Sequence, residues 1–292
     1  MSRVHDALRR SERAGTASPT LTPNDNYHGA SAALGPQPLE GLLELVETIP
    51  YRPSPEALLV DALDPDQAPV EEFRAIRTRL NHLQSLSPIH TAVITSPSPA
   101  EGKSFTAVNL ALAHAQLSGN RTLLCDFDLR HPVVHKLVGM DRAPGVTDYI
   151  QGKVPLHQAL RKLGDTDLYV LPSGTAVINP LELLNLKDVK QMLERLPRLF
   201  NWILLDSPPL LFAADANLLS TLSHGTILVV RIGATTTDAV TRAMQSLCQN
   251  NVLGIIVNGT RRGELYSKYT YYHSDDTEPR EKDEQTAIPD VA

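Results

Sequence analysis

The stretch that most constrains this chain is SPSPAEGKSFTAVNLALAHA, Ser96 to Ala115. It follows an apolar run, Thr91 to Thr95, that reads as a strand, and it continues into a helical pattern. Strand, tight loop of small residues, Gly102-Lys103-Ser104 and then helix is the layout of a phosphate-binding P-loop. At a helix N-terminus the backbone N–H groups point outward unpaired, and the helix dipole adds partial positive charge. Ala100, Glu101, Gly102, Lys103, Ser104 and Phe105 form the expected cradle. Lys103 would sit on the β/γ-phosphates of a nucleotide, and the Ser104 hydroxyl would reach Mg²⁺. Gly102 lets the backbone approach without a Cβ in the way. One departure stands out: Pro97 occupies the position of the first glycine in G-x-x-x-x-G-K-[ST]. Because Lys103 lies in a loop, it is expected to face solvent, and Lys103→Met to spare the fold.

Around this loop, strand and helix signals alternate. Strands are expected at Arg121–Cys125, Asp167–Leu171, Trp202–Leu205, Ile227–Arg231 and Val252–Val257, and helices at Pro180–Leu196 and Thr237–Gln249. Upstream, Val70, Phe73, Ile76, Leu80 and Leu83 recur at helical spacing, with Glu71, Arg74 and Arg77 on another face as surface ion pairs. Short apolar strands between amphipathic helices mean an α/β fold, a mostly parallel twisted sheet with helices on both faces. Ligands in such folds bind beyond the carboxyl ends of the strands.

Two more motifs fall at such ends. Trp202 to Pro209, WILLDSPP, is an apolar strand ending in Asp206, the Walker B arrangement in which a carboxylate serves Mg²⁺. The strand before Asp126-Phe127-Asp128-Leu129-Arg130 ends in two aspartates spaced to face the same side. One can serve the metal while the other takes a proton. His131 and His135 are four apart but lack the sequence context of a metal helix, and are read as surface residues.

The chain has 292 residues and two cysteines, Cys125 and Cys248, both in apolar segments and read as buried thiols. No apolar leader precedes Gly15, and no run approaches the length of a membrane span. Residues 1–69 read as a short basic helix (2–13) and a largely disordered linker, 70–260 as the P-loop domain, and 261–292 as a flexible tail. The formal net charge is −6, and Ser274–Ala292 alone carries seven acidic against two basic residues. The folded body is therefore nearly neutral, which argues against nucleic acid as a partner. Tyr266, Tyr269, Tyr271 and Tyr272, half of the eight tyrosines, cluster just before that acidic tail. The polar context SKYTYYHSDD reads as exposed, so they are candidate phosphoacceptors or a stacking surface.

These motifs together resemble the bacterial tyrosine autokinases of capsule and exopolysaccharide synthesis. SPSPAEGKS resembles that family's Walker A, LLCDFDLRHP its second Walker motif, ILLDSPP its Walker B, and EEFRAIR its oligomerisation motif. The resemblance runs from about Glu71 to Tyr272, with Ala100 where the family has glycine. It implies a P-loop NTPase fold of the MinD/ParA-like type and γ-phosphoryl transfer from Mg-ATP to tyrosine. Lys103, Asp126, Asp128 and Arg130 would be catalytic, with Asp128 as base. Ser104, Asp126 and Asp206 would hold Mg²⁺, and Asn258 would lie at the adenine. It further implies a ring-like homo-oligomer through Glu71, Arg74 and Arg77, with transfer between neighbours. A membrane polysaccharide co-polymerase or chain-length regulator and a cognate phosphatase would be partners, and the location cytoplasmic, at the inner face of the plasma membrane. Two rivals share the fold class. A MinD/ParA-type ATPase switch would carry a second lysine where this chain has Ser98, and a module binding ATP only to assemble would not need both Asp126 and Asp128.

Overall fold

The structure, a computed structural model, describes residues 39–51, 69–184, 187–247 and 252–260. The expected N-terminal helix and linker, Cys248, the tyrosine cluster and the acidic tail lie outside these residues. The described part is an eight-stranded sheet with the order β1-β4-β5-β3-β6-β2-β7-β8. Its strands are β1 (Glu47–Ile49), β2 (Thr91–Thr95), β3 (Thr122–Asp126), β4 (Arg161–Leu163), β5 (Leu168–Leu171), β6 (Trp202–Asp206), β7 (Gly225–Arg231) and β8 (Val252–Asn258). All neighbours pair in parallel except β4 with β5. The expected mostly parallel sheet is present. Two short strands, β1 and β4, extend it beyond the sequence reading, since three residues are too few for an apolar alternation to register.

Side chains of the central strands alternate between two cores, as a sheet covered on both faces requires. Leu123, Cys125, Ile203 and Leu205 enter one core, and Leu124, Trp202 and Leu204 the other. Helix α1 (Val70–Leu86) and helix α2 (Lys103–Ala115) cover the second core. Val70, Phe73 and Leu80 of α1 are buried there, and Phe73 meets Phe105 of α2 edge-on at 6.1 Å between ring centroids. The Trp202 indole N–H donates to Asn81 Oδ1 at 2.9 Å, so the buried ring keeps its polar edge satisfied.

Three short helices follow β3: α3 (Val134–Val138), α4 (Val146–Ile150) and α5 (Leu156–Ala159). The helix expected over Pro180–Leu196 is described as α6 (Pro180–Leu184) and α7 (Lys187–Arg195), residues 185 and 186 lying outside the described residues, and it closes in a 3₁₀ turn at Leu196–Arg198. Helix α8 (Ala214–Leu222) links β6 to β7, and α9 (Thr237–Ser246) lies between β7 and β8. Thr236 caps α9, its hydroxyl accepting from the Ala239 N–H at 3.2 Å. Among the described residues, no helix is long and apolar enough to cross a membrane.

Candidate active site

The strand order places the three sequence motifs side by side. β2, which feeds the P-loop, lies next to β6, and β6 lies next to β3. Asp126 and Asp206 are register partners, and Ile94 of β2 is the partner of Asp206 on the other side. Both aspartates are fully buried, and Asp128 nearly so. Three carboxylates with little water around them demand a cation.

Lys103 is that cation. Its Nζ donates to Asp128 Oδ2 at 2.7 Å, touches Ser104 Oγ at 3.1 Å and lies 3.9 Å from Asp206 Oδ1. The Lys103 side chain is only 12% exposed. The expectation of a solvent-facing lysine is therefore corrected: the ends of β3 and β6 close around it. Burial alone would lower the ammonium's pKa, but Asp206 and then Asp128 outweigh it and raise it on balance. Burial also pushes the Asp206 carboxyl up, to about 6, against the lowering influence of Lys103 and Ser104. Asp126 is raised as well, by burial first and then by Asp206.

The remaining acceptor capacity fits a metal ion. Asp126 Oδ2 accepts from the Val134 N–H at 3.2 Å, but Asp126 Oδ1 and both oxygens of Asp206 accept no hydrogen bond of good geometry. Orphaned, buried carboxylate oxygens beside a hydroxyl are the donor set of a hard cation such as Mg²⁺. Among the described residues no group of three or more His, Cys, Asp or Glu forms a metal cage. An ion here would draw its other ligands from phosphate and water, as Mg²⁺ does in nucleotide sites. His131 is exposed, as its reading as a surface residue expects, whereas His135 is half-buried.

The P-loop is held from the other side of the sheet. Gly102 has φ 93°, and a Cβ there would fall 2.0 Å from Asn258 Nδ2. Glycine at this position thus admits a side chain of β8 as well as a phosphate. The Asn258 amide donates to the Glu101 carbonyl at 3.0 Å, and its Oδ1 accepts from the Gly259 N–H at 2.8 Å. Asn258 is brought to the site, but its amide is engaged by the loop backbone. The Glu101 carboxylate is buried, accepting from the Ser98 N–H at 2.8 Å and from the Thr235 hydroxyl. Arg231 Nη1 donates to the Ala100 carbonyl at 3.2 Å. Ala100 itself sits at φ 63°, the left-handed region that favours glycine. The missing first glycine leaves backbone contacts intact: Leu211 N–H donates to the Pro97 carbonyl at 3.3 Å, and Leu210 N–H to that of Ser96 at 2.8 Å.

Arg130 is engaged elsewhere than on the lysine cluster. Its Nε donates to Asp215 Oδ2 at 2.7 Å and its Nη2 to Oδ1 at 3.3 Å. The Glu71–Arg74 pair forms as expected at 2.6 Å, but Arg77 instead donates to the Ala113 carbonyl at 2.7 Å and ties α1 to the last turn of α2. Asp215, Thr235 and Arg231 are site residues that the sequence reading missed. No motif surrounds them, and only the strand order brings them in.

A P-loop at the end of a central parallel strand, beside two further strands ending in buried aspartates, defines the P-loop NTPase fold. Comparison with known proteins narrows the class. No family model matches the chain. The tyrosine-protein kinase YwqD of Bacillus subtilis is 34% identical over 215 residues, covering 73% of this chain and 90% of that protein. The kinase domain of the Escherichia coli tyrosine kinase ETK superposes with a TM-score of 0.65 at 31% identity, over 70% of this chain and 82% of that one. The chimerical protein CapA2B2 gives a TM-score of 0.65 at 28% identity, over 75% and 96%. The chain belongs to the bacterial tyrosine-protein kinases. It spans nearly all of YwqD but under a third of longer relatives such as AmsA of Erwinia amylovora, where the match covers 29%.

Proposed function

We propose that this kinase transfers the γ-phosphoryl group of Mg-ATP to the tyrosines of its own C-terminal cluster, Tyr266, Tyr269, Tyr271 and Tyr272, from one copy to a neighbour. The observation that carries the reading is the contact of Lys103 with Asp128 between the buried carboxylates of Asp126 and Asp206. ATP bound with Mg²⁺ would supply the phosphoryl group. Ser104, Asp126 and Asp206 would hold the metal, and Ala100 to Phe105 would cradle the phosphates. Lys103 would offset charge on the β/γ oxygens. Asp128, relieved of Lys103, would accept the tyrosine proton; a loose transition state asks little of a weak base. Arg130 would act beside Asp128, and Asn258 would set the loop at the nucleotide.

The chain would be arranged as a recruiting segment at residues 1–69, the kinase at 70–260 and an acceptor tail at 261–292. Glu71 and Arg74 on α1 would join copies into a ring, with Arg77 bracing that helix. By family resemblance the partners would be a membrane polysaccharide co-polymerase or chain-length regulator and a phosphatase, with the kinase at the inner face of the plasma membrane and its product state regulating exopolysaccharide or capsule synthesis or export.

A mixing experiment tests the direction of transfer. A full-length chain with all four tyrosines replaced by Phe keeps the machinery but lacks the acceptors. A chain carrying Asp128→Asn keeps the acceptors but lacks the base. Each alone should give no phosphotyrosine, and the mixture should label the Asp128→Asn chain at a rate rising with concentration. A silent mixture beside an active wild type would overturn transfer between copies, and a labelled Asp128→Asn chain on its own would overturn Asp128 as base.

A further inference from the structure

The proposed chemistry sets Arg130 beside Asp128 but gives no part to Asp215, the buried carboxylate that Arg130 grips. Asp215 lies in the first turn of α8 and is buried, although Arg130 is 44% exposed at its side chain. A buried carboxylate placed to receive both the Nε and an Nη of an arginine fixes the guanidinium in one orientation. The helix dipole favours negative charge in that first turn. The two partners are 85 residues apart in the chain, so the pair cross-links the segment after β3 to the segment after β6.

What it cross-links is the stretch that carries Asp128. Asp128 Oδ1 accepts from the His131 N–H at 3.0 Å, while Oδ2 holds Lys103. Leu129 and Arg130 lie between Asp128 and His131, and Arg130 is joined directly to the residue whose N–H that carboxylate holds. Inside the stretch, Asp126 is tied to the Val134 N–H. The loop is thus anchored from within by two aspartates of its own and from outside by Asp215.

We infer that Asp215 is a positioning residue for phosphoryl transfer, acting through Arg130 to hold the Asp128–His131 turn and with it the orientation of the Asp128 carboxylate. The inference rests on Asp128 as the base. Misplacing a reacting group by about 1 Å can lower a rate by about 100-fold, while nucleotide contacts made by the P-loop are left in place. The effect should therefore fall on kcat and leave the KM for ATP alone.

The experiment uses the full chain and measures initial phosphotyrosine formation against Mg-ATP concentration. Asp215→Asn, Arg130→Gln and their double variant should each show kcat lowered by about 10-fold or more, with KM for ATP within about 3-fold of wild type. Acting through one contact, the two changes should not add: in the Arg130→Gln background, Asp215→Asn should alter kcat by less than about 2-fold. A merely structural role for Asp215 would instead lower the melting temperature while leaving the kcat of the folded protein unchanged, and that result overturns the proposal. So does a wild-type kcat in either single variant. If Asp215→Asn fails to fold, Asp215→Glu carries the test: it keeps the charge but displaces the guanidinium, so kcat should fall with KM for ATP unchanged, and a wild-type kcat overturns the proposal. Asp128→Asn runs alongside: if it retains transfer, the base reading falls first, whereas an inactive Asp128→Asn beside a fully active Asp215→Asn rejects the role of Asp215.

Discussion

Lys103→Met removes the cation from a site holding three buried carboxylates, and its effect on stability should depend on pH. At an effective dielectric near 20, a unit pair about 4 Å apart interacts by about 4 kcal/mol, and removing one partner of a buried pair costs about 3–5 kcal/mol. Lys103 stands 2.7 Å from Asp128 and 3.9 Å from Asp206. At pH 8, without nucleotide, the variant should lose about 3 kcal/mol, or about 6–12 °C in Tm for a domain of this size. A carboxylate can escape by taking a proton. Asp206, already at about 6 beside the lysine, moves further up without it, because Lys103 is the group that lowers it. A carboxyl whose folded pKa is raised contributes stability that is full below its unfolded value and is lost as pH rises through the folded value. In the wild type that loss falls roughly between pH 4 and 6; in the variant it extends to higher pH, so the deficit should shrink to about 1 kcal/mol at pH 5.5. Buried His114, held down to about 3 by burial and then by Arg77, titrates in both proteins and cancels in the difference. Denaturant unfolding of both proteins at the two pH values is the assay. An equal deficit at both, or a larger one at pH 5.5, would refute the account of Lys103 as counter-ion.

Three other outcomes follow from the same geometry. Asp206→Asn should weaken Mg²⁺-dependent ATP binding by about 10-fold or more while leaving Mg²⁺-free binding little changed, as nucleotide titrations with and without the metal would read. Ala100→Gly relieves about 1 kcal/mol of left-handed strain but adds about 0.4–1 kcal/mol of unfolded-chain entropy, so its stability should match wild type within about 0.5 kcal/mol. The β-branched Ala100→Val should lose about 1–2 kcal/mol in the same denaturant assay. Arg77→Ala should lower stability by about 1 kcal/mol through the lost bond to the Ala113 carbonyl, whereas Arg74→Ala should change it by less than about 0.5 kcal/mol and reduce assembly in light scattering.

The parts of this protein that local chemistry dictates were legible in its sequence. An apolar run ending in aspartate reads as a strand end wherever the chain goes afterwards, which marks Asp126 and Asp206, and Gly102-Lys103-Ser104 between a strand and a helix marks the P-loop. The five-residue strands β2, β3 and β6 are buried on both faces, so their apolar runs stood out. β1 and β4 are too short for such a signal. The ion pair of Glu71 with Arg74 was equally local, three residues apart on one helix face.

What local pattern could not convey was which strand neighbours which, and each misreading at the site traces to that. Lys103 read as exposed because a loop considered alone has nothing around it. The order β3-β6-β2 closes two strand ends over the lysine, and an expected surface charge becomes the counter-ion of a buried cluster. On the other side, β2-β7-β8 brings Thr235 to Glu101 across 134 residues and Asn258 to the same residue across 157. Asn258 was foreseen at the nucleotide from the resemblance, but the bond it makes is to the loop. Both of its amide ends are engaged by the backbone at Glu101 and Gly259, and the approach is possible because position 102 lacks a Cβ. The glycine of the GKS motif therefore answers to two demands, the phosphate that its motif implies and the side chain that its neighbouring strands deliver. Any Cβ at position 102 would have to displace Asn258 before it met a ligand, so the conformation of the loop depends on the edge strand β8 as well as on its own residues.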